Sequence, residues 1–103
     1  MEEVVTTIEW ADDAKTSFDN IIRYLESEWT EKEIAKFIAR TEEVLHLIRR
    51  YPEMNRPSLK QKNARLVIIN KHAKLAYFYK PGKNLVTLLL FWSMKQDPSK
   101  IKY

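Results

Sequence analysis

The sequence predicts an α+β domain made of an N-terminal strand, an antiparallel helical hairpin and a three-stranded antiparallel meander. Two observations favour this class. Apolar residues recur at helical spacing between positions 14 and 48, whereas from position 64 onward they cluster in three short runs rich in β-branched and aromatic residues. The chain has 103 residues, which is enough for a single domain, residues 1–103, around one modest core.

The first strand is predicted at residues 4–10, which contain Val, Val, Thr, Thr, Ile and Trp, a composition typical of strands. After it, apolar side chains recur three or four positions apart and form one stripe along a first helix. Asp12 and Asp13 lie in its first turn, where carboxylates interact favourably with the helix dipole. The stripe consists of Ala14, Phe18, Ile21, Ile22, Leu25 and Trp29.

A second helix is predicted to begin at Thr30, because Thr30 and Glu33 form a T-x-x-E capping box in which each side chain binds the other residue's free backbone N–H. Arg49 and Arg50 suit its C-terminal end, and Pro52 stops it. Since almost no linker separates the two helices, we expect an antiparallel hairpin. The second stripe consists of Ile34, Phe37, Ile38, Thr41, Val44, Leu45 and Ile48.

Three strand-like runs, residues 64–69, 74–79 and 85–92, follow an irregular connection at residues 52–63. Short connections make them antiparallel neighbours. The last run is apolar at almost every position, so we expect a central strand that is covered on both faces. Two helices can cover only one face. The other face requires the surroundings of the first strand, the C-terminal tail or a second protein.

The turn between the last two strands is predicted from the sequence Pro-Gly-Lys-Asn at residues 81–84. Gly82 is the residue that can adopt the positive φ of a type II turn without steric cost. We therefore expect Gly82 to be in the left-handed region.

Composition excludes several classes of protein. The chain has no cysteine, which excludes disulfides, thiol nucleophiles and cysteine metal sites, and its single glycine excludes glycine-rich phosphate loops. The longest apolar run, residues 88–92, is too short to span a membrane, and the start Met-Glu-Glu is unlike a secretory signal. We expect a cytoplasmic protein that needs no cofactor.

The two histidines do not predict a functional site. His46 and His72 have no carboxylates at ligand spacing, so no metal site is expected. His72 follows the tight connection at Asn70 and Lys71, where a hydrated surface side chain is the commoner case. His46 lies between stripe positions of the second helix, and no role is expected for it.

Charge is segregated along the chain. Residues 1–53 contain seven basic and thirteen acidic residues, a net charge of −6, whereas residues 54–103 contain eleven basic residues and one acidic residue, a net charge of +10. Clustered positive charges repel one another, and a polyanion or an acidic protein partner would offset that repulsion. The alternative is that lysines keep an exposed sheet soluble and discourage edge pairing.

Several short patterns occur in an order and spacing typical of a known family. They are Trp10 with Ala14, Ile22-x-Tyr24-Leu25, Phe37, Ile48-x-x-x-Pro52, Arg65, Lys71-His72, Leu75-x-Tyr77 and Phe91-Trp92-x-x-Lys95-Gln96-Asp97-Pro98. Over nearly the whole chain they resemble the RelE/ParE superfamily, the toxins of type II toxin–antitoxin systems, also called plasmid stabilisation proteins. The resemblance implies a compact α+β domain wrapped by a cognate antitoxin, with homodimer formation as the alternative when the antitoxin is absent.

The resemblance implies one of two activities. Toxins of the RelE kind cleave mRNA in the ribosomal A site, and toxins of the ParE kind block DNA gyrase. Our leading hypothesis from the sequence is a metal-independent, ribosome-dependent mRNA endonuclease. The alternatives are gyrase inhibition by protein contact and a degenerate relative without toxicity.

Candidate site residues follow from that hypothesis. RNA cleavage without a metal proceeds by attack of the 2′-hydroxyl on the neighbouring phosphate, which requires a base, an acid and cations. Lys95 stands where relatives with a Gln-x-Pro ending commonly have arginine, so a point charge replaces a guanidinium fork. The candidate catalytic residues are Arg65 and Lys95 for the phosphate, and Lys74 and Tyr103 for proton transfer. The candidate nucleic-acid-binding residues are Arg56, Lys60, Lys62, Lys71, Lys80, Lys83 and Lys100.

Overall fold

A computed structural model describes residues 6–103 of the chain and confirms the predicted fold class. One strand precedes two helices, and three further strands complete a single sheet. No helix within residues 6–103 is long and apolar enough to cross a membrane. The elements are β1 at Thr7–Trp10, α1 at Asp12–Glu28, α2 at Glu31–Arg50, β2 at Ala64–Asn70, β3 at Ala73–Lys80 and β4 at Leu85–Ser93.

The four strands lie in the order β1-β4-β3-β2. β2, β3 and β4 form the predicted antiparallel meander, and β1 pairs parallel to the first half of β4, from Thr7 opposite Leu85 to Trp10 opposite Leu88. The last strand is therefore internal, as the sequence predicted. Positions 4 and 5 of the predicted first strand lie outside the described residues.

The two helices cover one face of the sheet, and only Trp29 and Thr30 join them. The predicted capping box is half right. Thr30 Oγ1 accepts a hydrogen bond from the Glu33 N–H at 3.3 Å, but the Glu33 carboxylate binds His72 Nε2 at 2.8 Å and Lys71 Nζ at 3.2 Å. His72, 39 residues away along the chain, thus binds the Glu33 carboxylate, which in a complete capping box would accept the backbone N–H of Thr30.

A β-bulge in β4 explains why this strand is apolar without regular alternation. Ala76 pairs with Leu90 and Tyr77 with Leu88, so Leu89 is the extra residue. An extra residue shifts the alternation of side chains by one. Leu88 and Phe91 therefore both face the helices, although an odd number of positions separates them, whereas Leu90 packs on the opposite face.

Four aromatic rings connect the helices to the sheet at this bulge. Phe18 of α1 lies 5.4 Å from Trp10 of β1, 5.6 Å from Phe37 of α2 and 5.1 Å from Phe91 of β4, measured between ring centroids. Trp10 and Phe91 stack at 5.3 Å. Such pairs contribute roughly 0.5–1.5 kcal/mol each beyond the area that they bury.

The turn between β3 and β4 differs from the prediction. Residues Pro81–Lys83 form a single turn of 3-10 helix, and Asn84, not Gly82, has a positive φ of 48°. The N–H of Asn84 binds the Pro81 carbonyl at 3.2 Å, which closes the turn one residue later than a type II turn would. Asparagine tolerates the left-handed region, so glycine is not needed there.

Two neighbouring residues of α2 test how far this core controls stability. Phe37 is fully buried, whereas Ile38 is 39% exposed. Phe37→Ala should lower the free energy of unfolding by about 3–5 kcal/mol, because it removes a ring from the aromatic cluster and leaves a cavity. Ile38→Ala should cost below about 1 kcal/mol. Urea denaturation of both variants measures the difference, and equal losses would contradict the assignment of the core face.

Candidate functional site

The face of the sheet opposite the helices, here called the open face, carries a second apolar cluster. Ala76 of β3 and Trp92 of β4 are buried there, and Leu66 and Leu90 flank them. The cover is the C-terminal segment, whose Ile101 is buried against these side chains. Of the covers that the sequence left open for the second face of β4, the C-terminal tail is thus one that the structure contains.

A groove of about 560 Å³ runs beside this cluster and is called here the open-face groove. Lys74 of β3 lies opposite Trp92 in the strand pairing, and both line the groove. Tyr103 also lines it. Arg56 and Lys60, from the connection before β2, supply two further cations. The groove therefore gathers two of the four candidate catalytic residues and two of the candidate nucleic-acid-binding residues.

Arg65 lies on the other side of the sheet. It pairs with Tyr77, whose ring belongs to the core under the helices, and paired residues point to the same face. Arg65 Nη1 donates to the carbonyl oxygens of Glu53 at 3.1 Å and Asn55 at 2.6 Å. Its guanidinium therefore holds the connection between α2 and β2 against the sheet.

Tyr77 fixes the same connection. Its hydroxyl donates to the Pro52 carbonyl at 2.8 Å and accepts from Asn55 Nδ2 at 3.2 Å. Burial raises the pKa of Tyr77, which keeps the hydroxyl protonated and able to donate. Arg65 and Tyr77 thus act together as a structural anchor.

Lys95 points toward α1 and does not line the open-face groove. Its ammonium donates a hydrogen bond to the hydroxyl of Tyr24, and that bond raises the pKa of Lys95 above its ordinary value. The two residues border a cleft of about 480 Å³ between α1 and the end of β4. In the same region Ser17 Oγ accepts the backbone N–H of Phe91 at 2.9 Å, where β4 extends past the end of β1.

The other candidate nucleic-acid-binding residues are spread over the molecule. Lys71 contacts the Glu33 carboxylate and lies 4.9 Å from the centroid of the Trp29 ring. Lys80 lies 5.6 Å from the centroid of the Phe78 ring at the other end of β3. Lys62, Lys83 and Lys100 are exposed.

His72 is not the hydrated surface residue that the sequence suggested. Its side chain is only 7% exposed, and its imidazole packs edge-on against Trp29 with centroids 4.9 Å apart. Its carbonyl accepts the N–H of Met94 at 3.0 Å, so the turn between β2 and β3 also holds the chain just past β4. The Glu33–His72 contact could not be predicted, because neither residue carries a local signal for the other.

The site provides no metal centre. Within residues 6–103, no three His, Asp or Glu side chains come together in a way that could hold a metal ion. The side chains of the open-face groove that could bind a ligand include cations and the aromatic rings of Trp92 and Tyr103.

The comparison with known families decides the identity of the chain. A family model described as "ParE toxin of type II toxin-antitoxin system, parDE" matches residues 8–98. The chain belongs to the ParE toxin family. The match begins inside β1 and extends past the end of β4, so it covers both helices and all strand residues of this ParE-family chain except Thr7.

Solved structures show the same fold at low sequence identity. The chain is similar to a chain of the chromosomal ParDE system of P. aeruginosa, with a TM-score of 0.72 and 13% identity over 87% of this chain and 97% of that one. It is similar to a chain of the RelBE2 complex of Mycobacterium tuberculosis, with a TM-score of 0.63 and 13% identity over 92% and 98%. For the YoeB-YefM complex of Staphylococcus aureus the values are 0.54 and 17% over 84% and 94%. No curated protein matches the sequence.

The contact between Glu33 and His72 should make stability depend on pH. Hydrogen bonds from His72 and Lys71 hold the pKa of Glu33 below its ordinary value of 4.5. A lowered folded pKa means that the ionised carboxylate stabilises the fold above that ordinary value, and that this contribution is lost as the pH falls through the folded pKa. The stability advantage of wild type over Glu33→Gln should therefore be fully present above about pH 4.5 and shrink as the pH falls below it.

Urea denaturation from about pH 7 to about pH 3 measures this difference. Glu31→Gln is the matched control, because it removes the same charge from the same turn of α2 at an exposed position. An equal pH dependence in the two variants would contradict the proposed contact.

Proposed function

We propose that this ParE-family chain is the toxin of a type II toxin–antitoxin pair and that it acts by protein contact on DNA gyrase, without breaking a bond itself. One observation carries the choice of mechanism. The four candidate catalytic residues do not surround one point, since Arg65 binds loop carbonyls on the helix side of the sheet while Lys74 lines the open face.

Cleavage of RNA without a metal requires a base, an acid and cations to act on the same phosphate. Lys95 donates to Tyr24 on the side of α1, which leaves Lys74 and Tyr103 as the candidate pair in the groove. Inhibition by contact requires only a surface of fixed shape and charge, and the groove lined by Arg56, Lys60 and Lys74 supplies one.

The antitoxin is the second partner that we propose. The ParDE and RelBE2 structures are described as a toxin–antitoxin system and a toxin–antitoxin complex. For this chain, an acidic amphipathic segment would suit the open face, because Arg56 and Lys74 are cationic and Trp92 and Leu66 beside them are apolar.

Cleavage of mRNA on the ribosome remains the second candidate, because the groove combines Lys74, Tyr103 and Arg56 with the Trp92 ring. A cation next to an aromatic ring is an arrangement that binds single-stranded nucleic acid. If this groove were catalytic, Lys74→Met should lower the rate of message cleavage by about 10²-fold or more. Lys36→Met is the control, because Lys36 is an exposed residue of α2, does not line the groove and is not a candidate nucleic-acid-binding residue.

The purified chain distinguishes the two mechanisms in parallel assays. We expect inhibition of supercoiling by gyrase while message on programmed ribosomes stays intact. Cleaved message with normal supercoiling would replace the first proposal with the second. Expression of the chain alone should also arrest bacterial growth, and normal growth at a verified high level of expression would indicate a degenerate relative without toxicity.

A further inference from the structure

The C-terminal segment, residues 98–103, crosses the open face and is fastened to it at few points. Ile101 is 8% exposed and packs with Ala76 and Trp92, and Tyr103 is half-buried beside them. Lys60 supplies the polar fastening, because its ammonium donates to the carbonyl oxygens of Pro98 and Ile101, each at 2.8 Å.

The other hydrogen bonds of the segment are local and join residues 97–101 to one another. Residues Pro98–Lys100 form one 3-10 turn, in which the Ile101 N–H binds the Pro98 carbonyl at 3.2 Å. Asp97 caps this turn by accepting the N–H of Ser99 at 3.0 Å, which lowers the pKa of the Asp97 carboxyl. Among the hydrogen bonds of residues 6–103, only those from Lys60 join residues 98–103 to the chain before Asp97.

Such a segment can separate from the sheet without disturbing it. The strands are held by ladders of backbone bonds, whereas this segment depends on the bonds from Lys60 and on the apolar contacts of Ile101 and Tyr103. Segments with few buried contacts open locally at a small fraction of the free energy of global unfolding. Opening here would expose the Trp92 ring and the methyl group of Ala76.

We propose that the open face is a docking site for a protein segment that carries an aliphatic side chain and, two positions later, an aromatic one. Residues 98–103 fill this site in the free chain as a strap, and Lys60 is its latch. The strap provides the template for the partner, because Ile101 and Tyr103 have this spacing and both belong to the apolar cluster.

The chemistry of the site supports a peptide as the occupant. Lys60 binds main-chain carbonyls, which every peptide offers, so the latch can hold a foreign segment as it holds the strap. Ala76 has a small side chain at the centre of the face, which leaves space for an aliphatic group above it. Arg56 and Lys74, which line the open-face groove, favour acidic residues next to the aliphatic and aromatic side chains of the docked segment.

The first test measures the latch in the full chain. Trypsin cleaves after Lys100 and Lys102, and cleavage there requires the strap to leave the sheet. Lys60→Met should speed cleavage at these two sites by roughly tenfold, because it removes two charge-assisted bonds while the exposed position leaves the fold intact. Lys62→Met removes a lysine from the same loop without touching the strap, and we expect it to leave the rate unchanged. Equal rates in the two variants would overturn the role of Lys60.

The second test measures docking with a labelled peptide, Asp-Pro-Ser-Lys-Ile-Lys-Tyr, added to the full chain. Ile101→Ser frees the apolar position but keeps Lys60, so this variant should bind the peptide at least about tenfold more tightly than wild type, whose own strap competes at high effective concentration. Adding Lys60→Met to Ile101→Ser should abolish that gain, and a peptide with serine in place of Ile and Tyr should not bind. Failure of the Ile101→Ser chain to bind, with native circular dichroism, would overturn the docking site.

This inference concerns the same open face that is proposed above to bind the antitoxin, and it does not require the proposed action on gyrase. A chain that leaves gyrase untouched would still be expected to bind the peptide, and a chain that inhibits gyrase could fail to bind it. A negative result in the gyrase assay therefore does not imply a negative result in the peptide-binding assay, and the reverse is also true.

Discussion

The fold depends on the contact of the Phe18 ring with rings from three other elements. Trp10 belongs to the first strand, Phe37 to the second helix and Phe91 to the last strand. These elements come from both ends of the sequence, so the cluster forms only when the whole chain is in place. The bulge at Leu89 makes it possible, because Phe91 would otherwise point to the open face.

The sequence predicted those features that local patterns determine. Helical spacing of apolar residues gave both helices, and β-branched and aromatic runs gave the meander and its central strand. The bulge at Leu89 and the left-handed Asn84 were not predicted, since both depend on how strands pair across the sheet. The contact of His72 with Glu33 joins residues 39 positions apart, and no local sequence pattern indicates a contact between residues so far apart along the chain.

The candidate site was predictable in composition but not in arrangement. Most of the basic residues lie in the second half of the chain, and three of them, Lys74, Arg56 and Lys60, line one groove. For Arg65 the residue type alone did not predict the position, because the face on which a strand residue lies depends on register as much as on residue type. The sequence nevertheless contained a signal. Val67 and Ile69 follow Arg65 at two-residue spacing, so the three residues share one face of the strand, and Val67 and Ile69 pack under the helices. The residue type suggested a phosphate ligand, whereas the alternation indicated a structural one.

The parallel pairing of β1 with β4 has a consequence for biosynthesis. Thr7 pairs with Leu85, so the N-terminal strand cannot join the sheet until β4 has left the ribosomal tunnel. Until then β4 is missing from the middle of the sheet, and β1 has no neighbour to pair with. The N-terminal strand is therefore synthesised before the other strands, but it can join the sheet only after β4 is available.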